Sequence, residues 1–260
     1  MNLLLLERAE IDPLGRARVR ERRAEHLIGV LRIRVGDELR IGVIGGPMGT
    51  ATVAQVANDR VDLEVRLLAS SPPPPDVELI LAVPRPKALS RVVQHAAALG
   101  VRRLDLVNAW RVEKSYFASP RLDLPALRHH ALLGCEQGST TWLPEIRVHQ
   151  LLLPFLMNVL GPRLAQAPSP RCLLAHPESE QYVEEAAPIG PGEATVVAIG
   201  PEGGWITEEL ASFTELGFVP VALGRGVLRV EAAVTALLAQ LELCRRVSAR
   251  KSSDGGFGCP

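Results

Sequence analysis

Lysine is nearly missing from this sequence. Of its 29 basic residues only Lys87, Lys114 and Lys251 are lysines, and the rest are arginines. Arginine suits planar, bidentate contact with phosphates and bases; a coding bias towards Arg and Ala would give the same excess, and composition leaves both readings open. No sign of charge dominates, since 29 acidic residues balance the 29 basic ones. The balance is local rather than uniform: Arg16 to Arg40 holds eight Arg and four acidic residues. There is no CxxC pair and no metal-ligand spacing among Cys135, Cys172, Cys244 and Cys259. That argues against a metal centre and for reduced thiols in a cytoplasmic protein. No apolar run approaches the length of a membrane span, and Leu3 to Leu6 is too short for a signal peptide. There is no GxxxxGK[ST], so a P-loop nucleotidase is not expected. No internal repeat is visible.

What is present is a globular composition: 47% apolar residues in 260, enough for two modest domains or one large one. The sharpest boundary is Ser71-Pro72-Pro73-Pro74-Pro75-Asp76, a stiff Pro-rich linker over 71–76. Residues 1–70 read as a small β-barrel domain. Leu39, Ile41 and Val43 alternate with polar neighbours, as do Val61, Leu63, Val65 and Leu67, with a turn at Gly45-Gly46-Pro47 and one helix from Ala24 to Leu31. Residues 77–247 alternate strands and helices, the signature of an α/β unit with a mostly parallel sheet. Strands are expected at Val77 to Val83, Leu104 to Val107, Cys172 to Ala175, Thr195 to Ile199 and Phe218 to Leu223. Helices are expected at Lys87 to Leu99, which Gly100 would cap, Arg121 to Glu136, Leu151 to Leu160, Thr207 to Leu216 and Glu231 to Val247. Residues 248–260 read as a disordered tail.

Two glycine loops follow strands. Ile199-Gly200-Pro201-Glu202-Gly203-Gly204-Trp205 closes one strand, and Leu223-Gly224-Arg225-Gly226-Val227-Leu228-Arg229-Val230-Glu231 closes another. Glycines let a ligand approach the backbone N–H groups, and paired loops on adjacent strands would form a crevice at the strand ends. The second loop misses the dinucleotide fingerprint because Arg229 stands where its third glycine belongs. Arg229 also opposes the dipole of the helix it precedes, so it should serve an anion or a partner. Glu231 suits that helix start. Glu136-Gln137 ends a helix, where an acid is unfavourable, and so should meet another element or a subunit. His176-Pro177 ends a third strand.

Taken together these pieces resemble the RsmE family, the bacterial 16S ribosomal RNA uridine N3-methyltransferases of the SPOUT superfamily. The matching stretches are Ala24 to Arg32 with Gly36-Asp37, Lys87, Leu99-Gly100-Val101, Arg111, Glu136-Gln137, Leu143 to Ile146 and His176-Pro177. They continue with Ile199 to Gly204, Leu223-Gly224, Val227 to Arg229 and Glu231-Ala232. The chain differs from the usual family pattern at Ala98, at Gly138 to Thr141, at Arg225-Gly226, and at Val230 and Ala232. The resemblance implies a PUA-like RNA-binding domain followed by a methyltransferase domain with a C-terminal trefoil knot. It implies S-adenosylmethionine as cofactor, ribosomal RNA or the small ribosomal subunit as partner, and a homodimer with no metal and no membrane. The cofactor should lie among Leu174, His176, Pro177, Ile199, Gly200, Pro201, Gly203, Gly204, Leu223, Gly224, Val227 and Leu228. RNA should meet Arg22, Arg23, His26, Arg32, Arg34, Lys87 and Arg111.

Methylation at uridine N3 requires loss of the imide proton. Arg229 would stabilise the developing anion, while Glu202 or Glu231 would accept the proton or orient Arg229. Other readings stay open at this level: a related enzyme acting on another RNA such as transfer RNA, a non-catalytic RNA-binding or assembly protein, or a nucleotide-dependent oxidoreductase.

Overall fold

The computed structural model describes residues 2–166, 170–186, 190 and 192–254. It divides into two compact units, Met1–Pro74 with Leu132–Leu143, and Pro75–Ala131 with Pro144–Pro260. The first unit therefore reaches past the Pro-rich segment to take in the end of the helix Leu124–Gly138 and the turn after it.

The first unit is a five-stranded sheet in the order β1-β3-β4-β5-β2. Its strands are β1 (Leu4–Leu6), β2 (Arg16–Arg20), β3 (Glu38–Val43), β4 (Met48–Val56) and β5 (Arg60–Leu67). All neighbours are antiparallel except β1 and β3. Alternation sends Ala17, Val19, Val61 and Leu63 inward to meet Leu4, Leu6, Ile41, Ala51 and Val53. The expected helix begins earlier, at Glu21–Glu25, and widens into a π-turn over His26–Val30. Ala24 and Leu27 anchor it to the sheet's core. Leu3 to Leu6, unremarkable as a run, is almost completely buried.

The second unit is a six-stranded, wholly parallel sheet in the order β11-β9-β10-β6-β7-β8. Its strands are β6 (Val77–Ala82), β7 (Val101–Val107), β8 (Glu145–His149), β9 (Arg171–Ala175), β10 (Thr195–Ile199) and β11 (Val219–Val221). The central β6 and β10 are buried along their whole length, as sheets covered on both faces require. β8 was not expected; its Glu145, Arg147 and His149 break up the apolar signal. The chain runs outward from β6 through β7 to β8, then returns to β9 on the far side. A reversal of this kind opens a crevice at the carboxyl ends of strands beside the switch point. The strands preceding the two glycine loops, β10 and β11, are not adjacent, because β9 lies between them.

Helices Pro86–Ala98 and Thr207–Glu215 form close to their expected spans. Gly100 takes φ +77° as the C-terminal cap of the first, a conformation that favours glycine. The apolar stretch after His149 forms a short helix, Leu152–Phe155, that widens into a π-turn over Leu156–Leu160. The last helix runs Val230–Asp254, so 248–254, expected as disordered tail, are helical, while 255–260 lie outside the described residues. Val234, Leu237, Leu238 and Leu241 bury its inner face.

One buried polar cluster braces the outer half of this sheet. Asp105 on β7 is fully buried, accepting from Arg163 Nη2 at 3.0 Å and lying 2.7 Å from His149 Nε2. Burial pushes its carboxyl up, but the His149 hydrogen bond and the Arg163 charge more than offset this and hold it below the usual range. Arg163 also reaches Glu78 at 3.1 Å. Beside this cluster, burial and the Glu78 charge push the Cys172 thiol up to about 11, which keeps it an unreactive thiol.

Candidate active site

The carboxyl ends of β9, β10 and β11 meet at a cavity of about 740 Å³, within the size of ordinary small-molecule sites. β9 delivers Ala175, His176 and Pro177; the His176 N–H is held by Val221 O at 2.9 Å, which ties the β9 exit to β11. β10 delivers Ile199 and the loop Gly200 to Trp205. That loop turns tightly, with Gly204 N–H on Pro201 O at 2.8 Å and Gly204 at φ +75°. A Cβ on Gly200 would sit 3.0 Å from the Trp205 indole nitrogen, so the ring packs where a side chain would be. Trp205 in turn leans on Phe213 at a ring distance of 5.0 Å, anchoring the loop to the core. β11 delivers Leu223, Gly224 and then Gly226 to Arg229, and Gln240 fixes Leu223 O at 2.9 Å.

Two further tethers hold the β10 loop. Arg111, which follows β7, donates from Nη1 to Gly203 O at 2.6 Å. Glu209, buried near the start of the Thr207–Glu215 helix, accepts the N–H of Ile206 at 3.0 Å and that of Trp110 at 2.8 Å. The carboxylate thus caps its own helix and pins the β7 exit with the same group.

The fourth wall is basic. Arg85, Lys87 and Arg91 enter the cavity from the loop after β6 and the first turns of the Pro86–Ala98 helix. Glu202 Oε1 accepts the Arg85 N–H at 3.1 Å and lies 3.8 Å from its Nε. Glu231 lies 3.7 Å from Arg91 Nη2. Arg229 is exposed at the mouth, and among the described residues no ion pair joins it to either carboxylate. Desolvation, with the Glu113 and Glu202 charges, holds the Tyr116 phenol above its ordinary range, against the opposing influence of the Arg85 guanidinium.

The sequence-derived residues converge here with few exceptions. Glu202, Arg229, Glu231 and Lys87 line the cavity, as do the expected cofactor residues from His176 to Leu228, but Leu174 does not: it is fully buried within β9, and Ala175 takes its place. Arg111 grips the loop from outside. Arg22, Arg23, His26, Arg32 and Arg34 belong to the first unit. There Arg22 forms a bidentate pair with the buried Glu136 at 2.8 and 3.0 Å, which supplies the partner that the helix-end acid required. Arg23 is held by Glu10 and by Leu5 O at 2.9 Å. Arg32 and Arg34 are exposed, Arg32 with φ +52°. Sequence reasoning missed Arg85 and Arg91. The sign that singled out Arg229, a cation at a helix start, applies equally to Arg85. Among the described residues no group of His, Cys, Asp and Glu could hold a metal, and no helix is long and apolar enough to cross a membrane.

The chain has relatives. The profile of a family described as the RNA methyltransferase domain matches residues 71–242. The chain is 28% identical to the ribosomal RNA small subunit methyltransferase E of Treponema pallidum, over 92% of this chain and 90% of that one. It is 27% identical to the protein of the same name from Mycobacterium tuberculosis, over 82% and 80%. Among solved structures, the ribosomal RNA small subunit methyltransferase E of Neisseria gonorrhoeae, bound to S-adenosyl methionine, shares the fold with a TM-score of 0.74 at 22% identity, covering 94% of this chain and 98% of that one. Because the profile match spans all six strands of the parallel sheet and both glycine loops, the chain belongs to the RNA methyltransferase domain family.

Proposed function

We propose that this protein transfers a methyl group from S-adenosylmethionine to N3 of a uridine in 16S ribosomal RNA, at the cavity where β9, β10 and β11 end. The observation that carries the reading is the convergence of Arg229, Glu202 and Glu231 on a glycine-lined cavity at the switch point of a parallel sheet. The lining suits the cofactor. Glycines 200, 203, 204, 224 and 226 leave backbone open, Leu223, Val227 and Leu228 offer apolar contact for a purine, and the buried Trp205 indole N–H is a donor with no partner among the described residues. When bound there, S-adenosylmethionine supplies an electrophilic methyl group.

The chain's own residues would do the rest. Uridine N3 becomes nucleophilic as its proton leaves, and charge then spreads over the flanking carbonyl oxygens. Arg229, exposed and outside any ion pair with Glu202 or Glu231, can meet that charge. Glu202 or Glu231 accepts the proton in this scheme. Each turns one oxygen towards an arginine, Arg85 or Arg91, and keeps the other available. N3 lies on the pairing edge of the base, so the uridine must arrive unpaired or flipped.

The finer architecture belongs to the same proposal. The first unit, a five-stranded curled sheet, acts as a PUA-like RNA-binding domain, with Arg32 and Arg34 as its open cations. The last helix is tied to Asp76, ahead of β6, through Arg245 at 2.5 Å and to the β11 exit through Gln240, and a trefoil knot in this unit is proposed from the family resemblance. Val227, Leu228, Leu243 and Val247 stay exposed, and they support burial against a second copy in a cytoplasmic homodimer. The test is incubation with methyl-labelled S-adenosylmethionine and small-subunit RNA or particles, followed by mapping of N3-methyluridine. Label at one uridine N3 is expected. Intact cofactor binding with no label at any uridine would overturn the reading.

A further inference from the structure

Trp110 is the anomaly of the second unit. It is 79% exposed, although tryptophan is ordinarily among the more buried residues. Looseness of the chain does not explain this, because the Trp110 N–H is fixed on the buried Glu209 at 2.8 Å and its neighbour Arg111 is fixed on Gly203 O at 2.6 Å. Among the described residues no other ring packs on the indole. A large flat apolar face is therefore presented to water from a tethered backbone.

Its surroundings indicate what it faces. The Trp110 segment is tied to the cavity wall at Gly203 through Arg111. Arg85 and Lys87 are exposed cations of the cavity lining and Arg111 and Lys114 are exposed in the Trp110 segment, against the carboxylates Glu113 and Glu202, the second of which Arg85 already engages. An aromatic platform among cations is how proteins hold unpaired nucleic acid: every base has a face to stack, and phosphates follow the positive charge.

We infer that Trp110 and the basic rim beside it dock a single-stranded RNA segment flanking the target base, with a base stacked on the indole. The inference rests on the methyl-transfer reading, which requires the target to be unpaired. It also assigns strand-holding to the catalytic unit itself, independently of the arginines in the first unit.

The experiment uses the full chain with a fluorescein-labelled single-stranded RNA of about ten nucleotides and a duplex of equal length, matched to the footprint of such platforms. Trp110→Ala should weaken single-strand binding about ten-fold, the loss typical of one stacked base. Trp110→Phe, which keeps an aromatic face, should restore most of that affinity, and duplex binding should change little. In methyl transfer the KM for RNA should rise while kcat stays near its original value. Cofactor affinity by calorimetry and molecular mass by light scattering should not move. Single-strand affinity unchanged in Trp110→Ala overturns the inference. So does a fall in molecular mass at unchanged RNA affinity, which would assign the indole to a contact between two copies. If the methyl-transfer reading fails instead, the unaltered protein will lack label while its strand binding still depends on Trp110.

Discussion

The arginines paired within the first unit and those around the cavity are used in opposite ways. In the first unit four are locked. Arg16 meets Asp12 at 2.9 Å, Arg18 meets Asp62 at 2.5 Å, Arg22 clasps Glu136 at 2.8 Å and Arg23 clasps Glu10 at 2.5 Å. Around the cavity the pairs are slack. Arg85 stands 3.8 Å from Glu202 and Arg91 stands 3.7 Å from Glu231, while Arg229 pairs with neither carboxylate. A guanidinium in a short bidentate contact has spent its directional donors on the fold. One at nearly 4 Å keeps them for a ligand. Half of the eight arginines from Arg16 to Arg40 are thus framework, as are Arg163 and Arg245 of the second unit, and the cations around the cavity are the ones available for chemistry.

The largest expected effect would break that contrast at the slack end. Arg229→Ala should lower kcat by roughly a hundred- to a thousand-fold, the range for losing one electrostatic contact to a developing anion. Cofactor affinity should change less than about three-fold, well under the 1.4 kcal/mol that a tenfold change represents. Single-turnover rates with saturating cofactor, set beside calorimetry, separate the two. Turnover that survives the substitution would place Arg229 with the framework arginines.

The next effect tests the locked end. Glu136→Gln leaves the buried side of the Arg22 pair without its charge. Removing one member of a fully enclosed pair costs roughly 3–5 kcal/mol. Arg22 keeps 41% of its side chain exposed and can recover water, so about 2 kcal/mol is expected. Chemical denaturation should show this loss, while methyl transfer per folded molecule should stay within about two-fold, the equivalent of under half a kcal/mol. A large fall in turnover at unchanged stability would mean that Arg22 serves substrate and not fold.

How much of this was legible in sequence follows the same division. The parallel sheet was readable because β6 and β10 are apolar apart from Glu78 and Thr195, and the cavity was readable because its glycines interrupt that pattern where β10 and β11 end. β1 was missed because three buried leucines are too few to carry a period. β2 was missed because its outward arginines read as a charged patch, although Ala17 and Val19 alternate beneath them. Pairing partners were mostly hidden, since nothing local links Arg22 to a residue 114 positions away. The exception was Glu136, whose misfit with its helix dipole announced a partner without naming it. Arg85 and Arg91 were hidden for a different reason. Arg91 is an ordinary helix-face arginine, and Arg85 carries only the helix-start signal, until the sheet order brings the exits of β6 and β10 side by side.

The smallest effect sharpens the comparison through pH. Glu10 is partly buried, which pushes its carboxyl up, but the Arg23 hydrogen bonds, the Glu7 backbone N–H and the Arg23 charge outweigh this and hold it below the usual range. A carboxyl lowered on folding stabilises the folded state at pH values above its unfolded pKa of about 4.3. That contribution fades as pH falls from there through the lowered folded value, because the folded state must then take up a proton it resists. Glu10→Gln should therefore lower the melting temperature at pH 7 by a few degrees at most, since both partners are about a quarter exposed and screened by solvent. Parent and variant should converge as pH drops from 5 towards 3, within the window where carboxylates titrate. Melting curves across that range decide the matter. A gap that stays constant through pH 3 would show that Glu10 stabilises by packing, and that the tight arginine pairs of the first unit matter for their shape more than for their charge.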